Sequence, residues 1–148
     1  MELREIRQNE VQKLYACVQG LSEHHNQVSV HFKGAYPSRP YEDTLNMFEE
    51  SMKASVSKIA VMEQENDAVG FCKVDMENGK GKLDYLMVMP EYRGKELGKQ
   101  LMDWAMVQFH ENNIRRIEVK VVDGNDAIHL YEKYGFKMNA HLLWYEEG

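Results

Sequence analysis

The chain has 148 residues, of which 43% are hydrophobic and 28% are charged. This composition is ordinary for a globular domain, and the length predicts a single domain over residues 1–148. The 24 acidic residues outnumber the 18 Lys and Arg residues, which gives a net charge of −6. Because such a surface repels polyanions, we expect no nucleic-acid partner.

The cysteine and apolar patterns exclude two further classes. Cys17 and Cys72 lie far apart among apolar residues and fit no metal-ligand spacing, so we expect neither a disulfide framework nor a metal site. The longest apolar stretch, Leu86–Pro90, is far shorter than a membrane span. The N-terminus carries no export signal. We therefore expect a cytoplasmic protein that has no membrane partner.

The first third of the chain predicts one strand and two helices. Glu2–Ile6 is a weak strand, and Asn9 caps a helix that Gly20 ends. Leu21–Tyr41 shows no sustained periodicity, which predicts a short helical turn followed by a loop. Tyr41–Ala54 has apolar residues at helical spacing and predicts a second helix.

The middle of the chain predicts three antiparallel strands in a meander. The strands are Lys58–Glu63, Ala68–Met76 and Lys82–Met89. Asn66-Asp67 forms the first turn, and Asn78-Gly79 is a strong hairpin signal.

The last third alternates helices and strands. Gly94–Asn112 is a long amphipathic helix, Ile117–Val122 a strand, Asn125–Tyr134 a short helix and Leu142–Glu146 a last strand. The order β-α-α-β-β-β-α-β-α-β predicts an α/β (α+β) domain with a mixed sheet and helices on its faces.

A turn rich in glycines and cations joins the third meander strand to the long helix. It contains Gly94 and Gly98 together with Arg93, Lys95 and Lys99. At a helix N-terminus such a turn points backbone N–H groups and partial positive charge at a ligand, so a phosphate or pyrophosphate is its natural guest. On this segment alone, a purely structural tight turn is an equal alternative. The P-loop and dinucleotide patterns do not match it.

The segment resembles the acyl-CoA signature of the GNAT superfamily of N-acetyltransferases, Arg/Gln-x-x-Gly-x-Gly/Ala after a strand that ends in Val-x-Pro. Arg93 and Gly98 fill the first and last positions, whereas Glu96 stands where the family usually has its first glycine. We expect Glu96 to have a right-handed helical backbone with its side chain turned outward.

A second block strengthens the resemblance. Residues 125–136 are similar to the superfamily pattern Asn-x-x-Ala-x-x-Leu-Tyr-Glu-Lys-x-Gly-Phe, with a match at each position from Ala127 onward. Asn125 lies two residues before Ala127, whereas the family's asparagine usually lies three before. We expect Tyr134 to be a core aromatic residue.

The resemblance implies a mostly antiparallel sheet, acetyl-CoA as cosubstrate and transfer of its acetyl group to a primary amine. It implies direct attack in a ternary complex, with a small-molecule amine as the first choice of acceptor. A protein or peptide acetyltransferase and a non-catalytic acyl-CoA-binding module stay open as alternatives, and so does a homodimer. The cofactor-binding residues that the resemblance implies are Met87, Val88, Met89, Arg93, Gly94, Lys95, Glu96, Leu97, Gly98, Lys99, Asn125 and Tyr131.

The resemblance also suggests catalytic roles. Tyr131 is the expected general acid for the departing thiolate, and backbone N–H groups around Met87–Met89 are expected to bind the oxyanion. Asp84 is the first candidate for the base, on the same face as Leu86 and Val88 if the strand is regular. The other candidates for the base are Glu23, His24, His25 and Glu118.

Overall fold

Five strands lie side by side in chain order in a computed structural model that describes residues 1–147. The strands are β1 (Glu2–Glu5), β2 (Ser57–Gln64), β3 (Asp67–Glu77), β4 (Lys80–Val88) and β5 (Ile117–Val119). The helices are α1 (Tyr15–Val28), α2 (Tyr41–Lys53), α3 (Leu97–Glu111) and α4 (Ile128–Lys133), and two 3₁₀ helices span Gln8–Leu14 and Pro90–Tyr92.

The sheet confirms the predicted α/β class and its mostly antiparallel character. Strands β1 to β4 pair antiparallel, and β5 is parallel to β4. Asn66 and Asn78 adopt positive φ angles of 69° and 54° at the two meander turns, as tight hairpin turns require. Within residues 1–147, no helix is both long enough and apolar enough to cross a membrane.

The sheet separates two cores. On one face Leu14 of the first 3₁₀ helix, Val18 of α1 and Phe48 of α2 pack against Phe71 of β3. On the other face α3 and α4 pack against the next residue of β3, Cys72. Alternate strand residues thus serve opposite cores, and each fully buried large side chain contributes about 1.5–3 kcal/mol.

A β-bulge interrupts this alternation in β4. Lys73 pairs with Tyr85, whereas its neighbour Val74 pairs with Leu83, so Asp84 is an extra residue in β4. Leu83 packs with the α3 and α4 core, and Tyr85 with the α1 and α2 core. The bulge places two successive residues on one face, so Asp84 lies on the α1 and α2 side with Tyr85.

This arrangement corrects the expected orientation of Asp84. Leu86 and Val88 pack with the α3 and α4 core, on the opposite face. The expectation that Asp84 shares their face is wrong because it assumed a regular strand.

The sheet opens where β4 passes β5. Gly81–Leu83 pairs with Ile117–Val119. Beyond Leu83, β4 continues to Val88 with β3 as its partner and without β5. The predicted strand at Ile117–Val122 is shorter than expected because its pairing ends at Val119.

The first helix does not end at Gly20. A 3₁₀ helix precedes α1, and α1 runs through Gly20 to Val28. A Cβ at Gly20 would lie 2.9 Å from Met87 Cε and 3.2 Å from Met89 Sδ. The glycine therefore permits close packing of α1 on β4 rather than ending the helix.

The other helix boundaries differ less, but one expected element is absent. Residues 94–96 form a turn before α3, and α4 covers only Ile128–Lys133. Leu142–Glu146 is not a strand, since residues 137–147 have no regular secondary structure. Trp144 in this segment packs its ring 5.0 Å from the ring of Phe32. An aromatic anchor to the loop after α1 thus replaces strand pairing.

Gly124 ties the loop after β5 to the end of α1. Its φ angle is +101°, and an added Cβ would overlap the carbonyl oxygen of Val28. Gly34 has a φ angle of +90° but open space around it. We predict that Gly124→Ala lowers the free energy of unfolding by about 3 kcal/mol or more, and Gly34→Ala by about 1 kcal/mol.

Urea denaturation of both variants measures this difference. Equal losses for the two alanine variants would contradict the contact between Gly124 and Val28.

Candidate active site

A cleft of about 700 Å³ lies at the end of β4, where β4 has parted from β5. Side chains and backbone from α1, β4, the glycine turn, α3 and the segment through α4 form its walls. Its lining residues are Leu21, His24, Leu86, Met87, Val88, Tyr92, Arg93, Gly94, Glu96, Leu97, Gly98, Lys99, Asp103, Asn125, Asp126, Ala127, Leu130, Lys133 and Tyr134.

Arg93 is held at the rim of the cleft by two contacts. Its Nε donates to the carbonyl oxygen of Val88 at 3.0 Å, and its Nη1 lies 3.4 Å from Nδ1 of His24. Burial and the charge of Arg93 lower the pKa of His24, so the imidazole is neutral at pH 7. The guanidinium thus reaches from the end of β4 to His24 of α1.

The glycine turn departs from expectation at Glu96. Glu96 precedes α3 with φ 64° and ψ 17°, which is a left-handed conformation. The expected right-handed backbone is wrong, because the turn into α3 needs the conformation that glycine supplies where the family motif has it. Its side chain makes no capping hydrogen bond, and it lines the cleft.

Gly98 on the first turn of α3 faces Leu130 of α4 and leaves the space beside it open. An added Cβ there would meet only Cδ2 of Leu130, at 3.6 Å. Leu97 and Lys99 flank Gly98 on the first turn of α3 and also line the cleft. A short glycine surface at a helix N-terminus lets an anionic ligand approach the backbone closely.

Tyr134 packs against the α3 and α4 core, as expected, and it also lines the cleft wall. Its hydroxyl donates to Oδ1 of Asp103 at 2.5 Å, and Lys99 Nζ contacts Oδ2 of the same carboxylate at 3.2 Å. Burial and the bond to Asp103 raise the pKa of Tyr134 to about 12. The sequence signal was its place in the second block, one helical turn after Leu130.

The backbone of β4 offers hydrogen-bond donors to the opening at alternate residues. Met89 N–H donates to the carbonyl oxygen of Val69 at 2.8 Å, so that donor is not free for an oxyanion. In an antiparallel ladder the hydrogen-bonded pairs alternate. Because Val88 is opposite Gly70 and Leu86 opposite Cys72, the N–H groups of Leu86 and Val88 point toward the opening, and that of Met87 toward β3.

Asn125 begins the segment that carries α4. Its Oδ1 accepts a hydrogen bond from the backbone N–H of Ala127 at 3.0 Å, a local cap of the kind that asparagine commonly makes. Asn125 also lines the cleft, with Asp126 beside it.

Tyr131 lies behind the cleft wall. It is 6% exposed and packs in the core of α3 and α4 with Cys72 and Leu101. Burial and the nearby Cys72 thiol raise the pKa of its phenol, so the phenol is protonated at neutral pH. Among residues 1–147 its hydroxyl has no hydrogen-bond partner in the protein.

Asp84 lies on β4 two residues before Leu86, which marks the inner end of the cleft. Its Oδ2 contacts Lys73 Nζ at 2.7 Å, and its Oδ1 is 3.5 Å from Lys82 Nζ. Asp84 shares its sheet face with Met87, which lines the cleft.

The other candidate bases lie in different surroundings. Glu23 and Glu118 are exposed, whereas His25 is half-buried with its ring 5.2 Å from that of Tyr36. Burial lowers the pKa of His25 to about 4. Of the candidates for the base, only His24 lines the cleft itself.

The structure brings together most of the residues that were expected to bind a cofactor. Those that line the cleft are Met87, Val88, Arg93, Gly94, Glu96, Leu97, Gly98, Lys99 and Asn125. Met89, Lys95 and Tyr131 do not line it. Lys95 instead lies over the Tyr92 ring, 5.5 Å from its centroid.

Several lining residues were not anticipated. They are Leu21, Leu86, Tyr92, Asp103, Asp126, Ala127, Leu130, Lys133 and Tyr134. Lys133 and Tyr134 lie inside the second sequence block, so the block itself was the available signal, whereas Leu21 depended on where α1 ends. Within residues 1–147, no three His, Cys, Asp or Glu side chains are grouped to hold a metal ion.

Comparison with known proteins identifies the family of the chain. Residues 55–138 match the model of a family described as acetyltransferase (GNAT) domain. The chain belongs to this GNAT acetyltransferase family. It is an acetyl-CoA-dependent N-acetyltransferase, with acetyl-CoA as its cosubstrate.

Individual GNAT relatives are similar at modest identity. The spermine/spermidine N(1)-acetyltransferase of Bacillus subtilis (strain 168) is 30% identical over 112 residues, which cover 68% of this chain and 73% of that protein. A provisionally named ribosomal protein bS18-alanine N-acetyltransferase of the same organism is 26% identical over 93 residues, 62% of each chain. The chain therefore spans somewhat less than two thirds of this second relative.

A solved GNAT structure shares the fold. The PaiA N-acetyltransferase of Thermoplasma acidophilum, solved in complex with coenzyme A, superposes with a TM-score of 0.76 and 18% identity. The match covers 94% of this chain and 92% of that chain.

The left-handed Glu96 leads to a prediction with two separable parts. Glu96→Gly removes the strain of a side chain in this conformation and should raise the free energy of unfolding by about 1 kcal/mol. Glu96→Ala keeps the Cβ and the strain, so it should not raise stability. Both variants remove a carboxylate from the cleft and should lower the Kd for acetyl-CoA a few-fold, on the order of 1 kcal/mol.

Urea denaturation and calorimetry of the two variants provide the measurements. Equal stability of the glycine and alanine variants would contradict the strain, and an unchanged Kd in both would place the carboxylate away from the bound anion.

Proposed function

We propose that the chain acetylates a primary amine of a small cationic molecule by direct attack on acetyl-CoA in a ternary complex. The observation that supports this most is the opening between β4 and β5, which has the cation Arg93 at its rim and the carboxylate Asp84 near its inner end. The two ends suit an anionic cofactor and a cationic acceptor, respectively.

We assign the anionic part of coenzyme A to the rim. Arg93 and Lys133 supply positive charge there, whereas Lys99 pairs with Asp103 at 3.2 Å. Because Glu96 and Asp126 also line the cleft, much of the anion's binding must come from the backbone N–H groups of the turn at the N-terminus of α3. The thioester arm would then run along β4 toward Leu86.

The N–H groups of Leu86 and Val88 are the proposed donors along that arm. A donor aimed at the oxyanion of the tetrahedral intermediate stabilises the transition state, and loss of such a donor typically slows catalysis 10²–10³-fold. This assignment replaces the broader expectation of Met87–Met89, since Met89 donates to β3.

The attacking amine must lose a proton, because primary amines have a pKa of about 10 and are mostly protonated at neutral pH. We propose Asp84 as the group that receives the ammonium form and takes its proton through water. Holding the amine and the thioester in register can contribute about 7–11 kcal/mol, so positioning dominates over proton transfer.

Tyr131 is the proposed acid for the leaving thiolate. It is 6% exposed and lies behind the cleft wall that its neighbour Leu130 lines, so this role requires the bound thioester to bring its sulfur to the phenol at that wall. Its raised phenol pKa keeps it protonated, but a phenol is a weaker acid than a thiol of pKa about 8.5. Its contribution is therefore mainly a hydrogen bond to sulfur rather than complete proton transfer.

Two observations favour a small cationic amine as the acceptor. One relative carries the name spermine/spermidine N(1)-acetyltransferase, and the acidic balance of this chain attracts cations. The second candidate is a protein N-terminus, which the provisionally named alanine N-acetyltransferase favours.

Two buried free cysteines, Cys17 and Cys72, suit the proposed cytoplasmic location. A homodimer stays a prediction.

An acceptor panel tests the proposal. We expect release of CoA from acetyl-CoA with spermine and spermidine, and at least about tenfold lower kcat/KM with neutral amino acids and an alanine-terminated peptide, because cations are attracted to the acidic site. Mass spectrometry of the product locates the acetyl group. Turnover of the peptide in preference to the polyamines would contradict the proposed acceptor and favour the second candidate.

Tyr131→Phe tests the acid. We predict that kcat falls on the order of 10²-fold, because the sulfur loses its donor, while the Kd for acetyl-CoA is unchanged. Tyr145→Phe is the matched control, since Tyr145 is 84% exposed and its hydroxyl donates to Glu147, its only hydrogen-bond partner among residues 1–147. An unchanged kcat at saturating substrates would remove Tyr131 from the acid role.

A further inference from the structure

We propose that Lys73 is a positioning residue, whose buried ammonium fixes the carboxylate of Asp84 where the acceptor's ammonium group arrives. This inference rests on the proposed role of Asp84 and adds a residue that no sequence pattern indicated.

Lys73 is a buried cation held by two carboxylates. Its side chain is 4% exposed, and its Nζ lies 2.7 Å from Oδ1 of Asp75 and 2.7 Å from Oδ2 of Asp84. The same ammonium lies 5.2 Å from the centre of the Phe48 ring of α2. Burial of an unpaired charge costs several kcal/mol, so the ammonium is confined to the position between these carboxylates.

The two carboxylates differ in what else holds them. Asp75 also accepts a hydrogen bond from Ser57 Oγ at 2.5 Å, and Ser57 is linked to Ser51 at the end of α2 at 2.8 Å. Asp75 is therefore tied into the framework of β2 and α2. Asp84 has only the weak second contact to Lys82, at 3.5 Å, so its orientation depends on Lys73.

The position of Asp84 in the sheet explains why its carboxylate needs a partner that holds it. Asp84 is the extra residue of the β4 bulge, and the pairing of β4 with β5 ends at its neighbour Leu83. A bulge leaves the local backbone less constrained by ladder hydrogen bonds. A carboxylate there needs a fixed partner to stay in one place, and Lys73 on β3 is that partner.

The charges also suit an incoming cation. Asp84 is 20% exposed, whereas Lys73, the cation that holds it, is 4% exposed. The exposed ammonium of Lys82 lies 3.5 Å from the other carboxylate oxygen of Asp84. An approaching amine can therefore take the place of Lys82 at this carboxylate without meeting the ammonium of Lys73.

The experiment compares three single variants in spermine acetylation. Lys73→Met and Asp84→Asn should each lower kcat/KM for spermine on the order of 10²-fold, as loss of a positioned group does. The Kd for acetyl-CoA should stay within twofold of its original value, because the cofactor cleft is untouched. Asp75→Asn is the matched control, since it loses a contact to the same ammonium at the same 2.7 Å distance. It should keep kcat/KM within about threefold.

The double variant Lys73→Met/Asp84→Asn decides between positioning and general stability. If Lys73 acts through Asp84, the double variant has the same kcat/KM as Asp84→Asn alone. Multiplied losses, or an Asp75→Asn variant as impaired as Lys73→Met, would overturn the proposal. If Lys73→Met alone does not fold, Lys73→Met/Asp75→Asn removes the uncompensated second carboxylate and should show the same loss of kcat/KM.

A second readout separates this inference from the proposed function. If the original chain does not acetylate spermine, the acceptor assignment fails. The interaction between Lys73 and Asp84 is then measured by a double-mutant cycle on the midpoint of urea denaturation. Coupling between the two residues is expected, and strictly additive shifts would overturn the inference.

Discussion

The chemistry of this protein depends on one limit in its sheet: β5 is hydrogen-bonded to β4 only from Gly81 to Leu83. Beyond that point the backbone of β4 has a partner on one side alone, so its outward N–H groups are available to a ligand. An unpaired strand buried without partners would be costly, but the opening widens into a cleft, where a cosubstrate can satisfy the same groups. In the proposed complex the family's cosubstrate completes the edge that the fold leaves open.

Charge is distributed along the same opening. The chain is anionic as a whole, yet Arg93 is held at the rim with its guanidinium between β4 and α1. Near the inner end the order is reversed, since Lys73 is covered and the carboxylates around it are accessible. A polyanionic cosubstrate and a cationic acceptor would therefore be drawn to different ends of one strand, which favours a ternary complex over random encounter.

Much of this was predictable from sequence. The meander and the turn around Arg93 and Gly98 were predicted because tight turns and phosphate-binding turns demand particular residues at fixed spacing. The bulge at Asp84 was not, because strand alternation carries no local mark of an extra residue. Gly20 was misread since glycine serves close packing as well as helix ends. The strand predicted at Leu142–Glu146 was wrong. An apolar run does not reveal whether it will pair with a strand or, as Trp144 does, pack against another aromatic ring.

The most direct test of the open strand is amide NMR of the ¹⁵N-labelled chain, titrated with acetyl-CoA. The account predicts large shifts and slowed hydrogen exchange at the N–H groups of Leu86 and Val88, which face the opening. The N–H groups of Met87 and Met89 face β3, and they should show much smaller changes. Uniform changes along β4, or changes confined to Met87 and Met89, would contradict the proposed path of the cosubstrate.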